Sequence, residues 1–211
     1  MMRKTMCTAL FLVACGENPA DTTPDAQIID PAQPEAAASN ASEAPAGQKA
    51  LSGHVYFTGS NLRSSHTCRF DTWSGSFLPG TGGAIDSLSL EFTVETSSVF
   101  CDWESKPDGV PRLEKHLRSD DFFHAEAHPQ ARFVSTQIAA SEAGGFEVTG
   151  DFTLRGVTKT IRFPAQISWE NGAFNAEAKF DIRRTDWDVK YTGAADNLIR
   201  EEVVLDILLK G

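Results

Sequence analysis

Few side chains in this sequence could do chemistry, and none stands in a catalytic pattern. There is no Gly-x-Ser-x-Gly elbow, no phosphate-binding glycine loop and no HExxH. Carboxylates are plentiful, but sequence alone does not pair them in space, so no enzymatic activity is expected. His124 and His128 are four apart, a spacing that brings two imidazoles to one face of a helix. Pro129 follows at once and leaves room for about one helical turn. Two ligands also do not complete a metal site. These two read as exposed or capping histidines, as do His54, His66 and His116, and no metal is expected. The cations Arg155, Lys159, Arg183 and Arg184 lie near turn signals. They suit contact with a ligand head group or phosphate, or they are solvated turn charges.

The four cysteines divide by position. Arg3 and Lys4 precede an apolar run at residues 7–14, the order of a secretory signal. Leu12-Val13-Ala14-Cys15 resembles a bacterial lipobox, which implies cleavage after residue 14 and acylation of Cys15. Eight apolar residues cannot span a bilayer as a helix, so lipid would hold the protein. Two acyl chains anchor stably where one does not. Gly16 after the cysteine resembles the sorting pattern of outer-membrane lipoproteins, facing the periplasm or the cell surface. Cys7 then leaves with the signal and Cys15 takes the lipid. Cys68 and Cys101 remain, an even pair in an exported, oxidising compartment, where a disulfide is expected. Two free thiols, or a ligand role for Cys68 with His66, are the alternatives.

Residues 16–50 carry six acidic groups against one lysine, half of the chain's net charge of −10. They are rich in Ala, Pro and Glu and show almost no apolar periodicity. Residues 15–50 therefore read as a lipidated, disordered tether, and 51–211 as one domain, in a chain of 211 residues in all. The acidic balance argues against nucleic acid, which needs clustered Lys and Arg.

The domain reads as strands. Val55 and Phe57 alternate with His54 and Tyr56. Residues 66–77 are a less regular candidate. Leu88, Leu90, Phe92 and Val94 alternate cleanly with polar residues. Residues 96–111 look irregular and 112–117 suit a short helix. Ser119-Asp120-Asp121 suits the start of a further helical turn over 122–127. Residues 145–169 form the organising hairpin, with Phe146, Val148, Phe152 and Leu154 on one arm and Ile161, Phe163, Ala165, Ile167 and Trp169 on the other. A glycine turn at 155–159 joins them, and Pro164 marks a point locally unpaired or near an edge. After the Asn171-Gly172 turn, Phe174, Ala176, Ala178, Phe180 and Ile182 alternate with polar residues. Val203, Leu205, Ile207 and Leu209 close the domain, though Val204 and Leu208 make the other face apolar too. About eight antiparallel strands result, and either a barrel or a sandwich satisfies them.

Four runs, in order, resemble one family. GDFTLRGVTKTIRFP at 150–164, HLRSDDFFHAEAHPQARFVST at 116–136, FDIRRTDWDV at 180–189 and REEVVLDILL at 200–209 are similar to the YceI-like, polyisoprenoid-binding proteins. The resemblance spans about residues 51–210. It implies an all-β, antiparallel, eight-stranded lipocalin-like barrel with one or two short helices, holding a long isoprenoid or quinone-like chain. The inward residues Leu90, Phe92, Val148, Phe152, Phe163, Phe174, Ala176, Ala178, Phe180 and Leu205 would then line the ligand. Pattern alone reads rather as a packed interaction module without ligand, which the resemblance reverses, and a haem- or metal-binding barrel is a third reading. A homodimer is left open. The chain departs from the family pattern at 64–70 and 100–103, which carry Cys68 and Cys101.

Overall fold

Period-two alternation folds here into antiparallel sheet along nearly the whole domain. The computed structural model describes residues 18–29 and 47–211. Its elements, in chain order, are β1 (Gln27–Ile28), β2 (Lys49–Ala50), β3 (Ser52–Asn61), β4 (Ser65–Phe70), β5 (Trp73–Leu78), β6 (Ser89–Glu95) and β7 (Val99–Cys101). There follow α1 (Pro111–Arg118), β8 (Gln130–Ala140), β9 (Phe146–Leu154), β10 (Val157–Glu170), β11 (Ala173–Arg183), β12 (Gly193–Ala194) and β13 (Asn197–Lys210). The sheet runs β2-β5-β6-β8-β9-β10-β11-β13-β3-β4-β7, with β1 added on β10 and β12 on β13.

This is a curled half-barrel of eleven strands in line, not the eight-stranded barrel expected. Three local effects account for the difference. The candidate strand at 66–77 breaks in two, because the Asp71 and Thr72 amides turn away to Ser98 O and Oγ, at 3.1 and 3.0 Å. The supposedly irregular connection 96–111 contributes β7, which pairs with β4 in the register Cys68↔Cys101. Finally, Leu51 divides β2 from β3, its N–H donating to Gly75 O at 2.8 Å. Lys49–Ala50 pairs with β5 while Ser52–Asn61 pairs with β13. One run of chain therefore serves both ends of the curl at that corner.

The central hairpin forms β9 and β10, but its turn is tighter than predicted. Only Arg155 and Gly156 lie outside the strands, with φ of 52° and 75°, and Leu154 pairs with Val157. Two successive positive φ values are the mirror-image turn whose twist suits a two-residue hairpin. Asn171 and Gly172 repeat it between β10 and β11, with φ of 52° and 81°. Pro164 pairs opposite Glu147 on β9, while pairing with β11 begins only at Gln166. Toward the chain's earlier residues, β10 and β11 have parted.

Residues 18–29 lie in that gap and against β13, so the tether reading does not extend to them. Ile28 pairs with Ile161 of β10. On the other side Ala26 N–H donates to Asp181 O at 2.8 Å, and Asp181 N–H to Pro24 O at 3.0 Å. The 3-10 turn Pro19–Thr22 packs on β13. There Ala20 and Val204 are both buried, which explains why β13 is apolar on both faces. The signal peptide, Cys15 and residues 30–46 of the expected tether fall outside the described residues.

Among the described residues there is one α-helix. Pro111 opens it, where its missing N–H costs nothing. Glu114 is buried and its Oε1 accepts from the Val110 and Cys101 amides, at 2.9 and 3.1 Å. Ser119 ends this helix rather than starting another. Its hydroxyl donates to His116 O at 2.7 Å, and residues 120–127 continue as turns, with His124 at φ 50°.

Candidate functional site

The inward apolar residues divide into two regions along the strands. At one end β3, β6, β9 and β11 finish and β8, β10 and β13 begin. Here a cavity of about 120 Å³ lies beneath α1 and the turns that follow it. Its walls include Phe57, Phe92, Phe133, Phe152, Phe163, Phe180, Leu205 and Ile207. Leu117, Phe122 and Phe123 close it from α1 and the following turns, and Val189 from the segment after β11. At the other end the interior is packed, with a void of only about 20 Å³ beside Leu90, Val148, Ala176 and Ala178.

Aromatic rings separate the two regions. Phe163 and Phe180 stack with centroids 4.0 Å apart, and Phe133 contacts Phe163 at 5.4 Å and Phe92 at 5.5 Å. Beyond them Phe77 and Phe174 stack at 4.5 Å, with Trp169 5.5 Å from Phe77. Of the ten predicted lining residues, Phe92, Phe152, Phe163, Phe180 and Leu205 line the cavity. Leu90, Val148, Ala176 and Ala178 border only the small void, and Phe174 borders neither. Ala176 and Ala178 were expected to leave volume. Val148, Ile167, Ile207 and Leu209 surround that space instead.

Residues missed by the sequence reading come mostly from outside the cleanest strands. Ile182, Val203 and Ile207 were legible, since they continue alternations already recognised. Phe122 and Phe123 were not, because they stand in turns without periodicity. Arg155 places them: its guanidinium donates to Phe122 O at 2.6 Å and also to Asp120 O.

Of the four predicted head-group cations, Arg184 alone lines the cavity. It is buried, and three carbonyls hold its guanidinium: Val189 O at 2.5 Å, Arg200 O at 2.9 Å and Ile199 O at 3.3 Å. Burial lowers its pKa, against the opposing pull of Glu201 and Glu202. A charge beside an apolar cavity is tolerable because those carbonyls solvate it. Lys159 shares the inward face of β10 with Ile161 and Phe163 but sits nearer the turn, outside the lining. Arg183 is exposed and bonded to Glu201 Oε2 at 2.5 Å.

The Cys68–Cys101 disulfide joins β4 to β7, with Cα atoms 4.0 Å apart. His66 turns instead to Asp102, Nδ1 to Oδ2 at 2.7 Å. His124 and His128 lie in turns with ring centroids 5.5 Å apart. Among the described residues no group of three or more His, Cys, Asp or Glu could hold a metal ion.

Residues 34–210 match the YceI-like domain. The chain belongs to that family. A UPF0312 protein of Shewanella denitrificans is 29% identical over 179 residues, 82% of this chain and 88% of its own length. One from Vibrio parahaemolyticus is 30% identical over 135 residues, 60% of this chain and 66% of its own. Among solved structures, Burkholderia cenocepacia BcnA superposes with a TM-score of 0.62 at 20% identity, covering 74% of this chain and 96% of that one. A polyisoprenoid binding domain from Saccharophagus degradans gives 0.58 at 18% identity, covering 78% and 97%. At these identities the solved structures speak for the fold alone. The segment 18–29 that fills the gap beside β10 lies ahead of the residues matched to the YceI-like domain.

Proposed function

We propose that this YceI-like protein binds an apolar lipid of isoprenoid or quinone type in the cavity at the α1 end. The observation that carries the reading is the cavity itself, about 120 Å³ walled almost wholly by carbon, with a carbonyl-held arginine beside it. Such a space stays dry and welcomes hydrocarbon, as an engineered cavity of about 150 Å³ welcomes benzene. Burying hydrocarbon is worth ~0.8 kcal/mol per CH₂. As it stands the cavity takes roughly one isoprene-sized group, so a longer chain must displace Phe122 and Phe123. Those residues sit on turns rather than strands, and can move without breaking the sheet. Arg184, with Lys159 nearer the opening, would meet the polar head group. The binding described for the Saccharophagus domain agrees with this class of ligand.

The anchor is proposed to be a lipid on Cys15, holding the protein at the outer membrane. Among the described residues no helix is long and apolar enough to cross a membrane. Cys15→Ser should move the protein to the soluble fraction. Retention in the membrane, with no lipid on the wild-type chain, would remove the lipoprotein reading.

Protein purified from bacterial membranes should release hydrocarbon on solvent extraction and mass spectrometry. Phe180→Arg should abolish that signal, since an unpaired charge there is costly. Recovery of ligand-free wild type from membranes would favour the packed module, a reading supported by the Phe163–Phe180 stack that fills the middle of the interior. A haem or metal reading loses its thiolate, because Cys68 is bonded to Cys101.

A further inference from the structure

We infer that the cavity end of the half-barrel is a docking face for a lipid bilayer, so that the opening rests on the membrane surface. Four large apolar residues are well exposed among those described: Ile28 at 44%, Leu62 at 49%, Tyr191 at 36% and Leu198 at 46%. Three of the four surround the opening: Leu62 on the bend after β3, Leu198 at the start of β13 just after the β12–β13 turn, and Tyr191 on the segment before β12. Leu62 follows β3, whose last residue, Asn61, pairs with Ile199 of the cavity wall. Leu198 precedes Ile199 and pairs with Gly193. Arg63 Nη2 donates to Asp196 Oδ2 at 3.0 Å and ties these two turns together. Tyr191 completes the rim, its ring 5.5 Å from Phe122, which also walls the cavity. Single exposed apolar residues need no explanation. Three gathered around the opening of an apolar cavity form the kind of patch that marks an interaction surface.

The arriving chain selects the partner. Asn18 is buried beside Ser60, Oδ1 to Oγ at 3.5 Å. Ser60 lies two residues before Leu62, so whatever precedes Asn18 meets the domain at this rim. On the reading that Cys15 carries lipid, three residues reach at most about 11 Å. The anchor is then held beside Leu62, and the domain lies on the bilayer instead of standing off from it.

Two of the cations on this face are held in ion pairs. Arg63 is paired with Asp196, and Lys190 Nζ with Asp188 Oδ1 at 2.5 Å. Docking therefore comes from inserting Leu62, Leu198 and the amphipathic Tyr191 ring at the interface. It does not select anionic head groups and changes little with salt.

The test uses the full chain carrying Cys15→Ser, so that no acyl chain contributes, and sediments it with vesicles of phosphatidylethanolamine and phosphatidylglycerol. The protein should bind reversibly at high lipid concentration, weakly enough that dilution still leaves it in the soluble fraction of a lysate, and with little loss at high salt. Leu62→Asp with Leu198→Asp should lower the partition coefficient at least tenfold, while Ala143→Asp, on the β8–β9 turn at the far end, leaves it unchanged. Tyr191→Ser should weaken binding by a smaller factor and serves as the second variant if the double one fails to fold. Hydrocarbon retained in detergent is measured in parallel on each variant. Loss of vesicle binding with retained hydrocarbon, or vesicle binding by a chain that retains none, both support the docking face and report separately on the ligand. Failure of the Cys15→Ser chain to bind vesicles, or binding untouched by the rim substitutions, would overturn it.

Discussion

The two ends of the interior are built from the same residue types on the same strands, yet one is filled and the other hollow. At the far end most of the wall is strand, with the 3-10 turn Ile85–Ser87 packed on β8 and β10, and Phe77, Phe174 and Trp169 interlock across it. At the α1 end part of the wall comes from a helix and turns, which approach the sheet at a distance set by their own hydrogen bonds. Arg155, Arg184 and Ser119 fix those turns through backbone carbonyls, in addition to the packing of Phe123 on Phe57 and Phe70. A cavity remains where side-chain volume does not decide how close the pieces come. Protein interiors otherwise leave few voids larger than a water molecule.

The strongest way to break this comparison is to hollow the filled end. Phe174→Ala should cost about 3–5 kcal/mol, because its ring is 1% exposed and neighbours on several strands cannot collapse into the gap. Phe152→Ala should cost less, since Phe152 is only half-buried and already borders empty space. Ligand retention should show the reverse order. Urea unfolding and solvent extraction of the two variants together check both halves.

Next in size is the link that holds β7 to β4. Replacing Cys68 and Cys101 with alanine releases a closed loop with sequence separation 33. That should cost roughly 3–4 kcal/mol in the chain-entropy account. The unfolding midpoint of oxidised protein should therefore exceed that of the variant, and reductant should lower it only in the wild type. Equal midpoints would leave the bond without a stabilising role.

Filling rather than emptying sharpens the contrast. Ala176→Leu must enter a space with about 20 Å³ to spare, and overpacking of this kind costs about 1–3 kcal/mol. Leu205→Phe enlarges a side chain that borders the cavity. It should leave stability within about 1 kcal/mol and compete with ligand. Equal destabilisation by both would mean the two ends are packed alike.

The smallest expected effect concerns the segment at 18–29. Burial raises the Asp181 pKa to about 6, helped by a hydrogen bond to Asp25 and by the charges of Asp25 and Glu202. An acid whose folded pKa is raised stabilises the fold fully below its unfolded value. That contribution is lost as pH rises through the folded value. The docking of residues 18–29 should thus be tightest near pH 4 and loosen as pH passes about 6. Amide exchange at Ala26, which donates to Asp181 O, reads this directly once corrected for intrinsic rates. Asp181→Asn should remove the pH dependence.

Local pattern carried much of this protein. Alternation at 146–154, 157–170 and 173–183 determined those strands and their inward faces, because side chains on a pleated strand repeat every two residues. Asn171-Gly172 determined a hairpin, since both of its positive φ values suit those residues. With Cys7 assigned to a signal and Cys15 to a lipid, the count left Cys68 and Cys101 as the expected pair. Tertiary structure decided the rest. Whether residues 18–29 float or pair depends on an unfilled gap between β10 and β11 that no local window shows. Where the cavity lies depends on Phe122 and Phe123, whose positions follow from Arg155 more than thirty residues later. And whether Ala176 leaves room depends on Ile167, Ile207 and Leu209 around it, because a cavity belongs to the space between elements and not to any one of them.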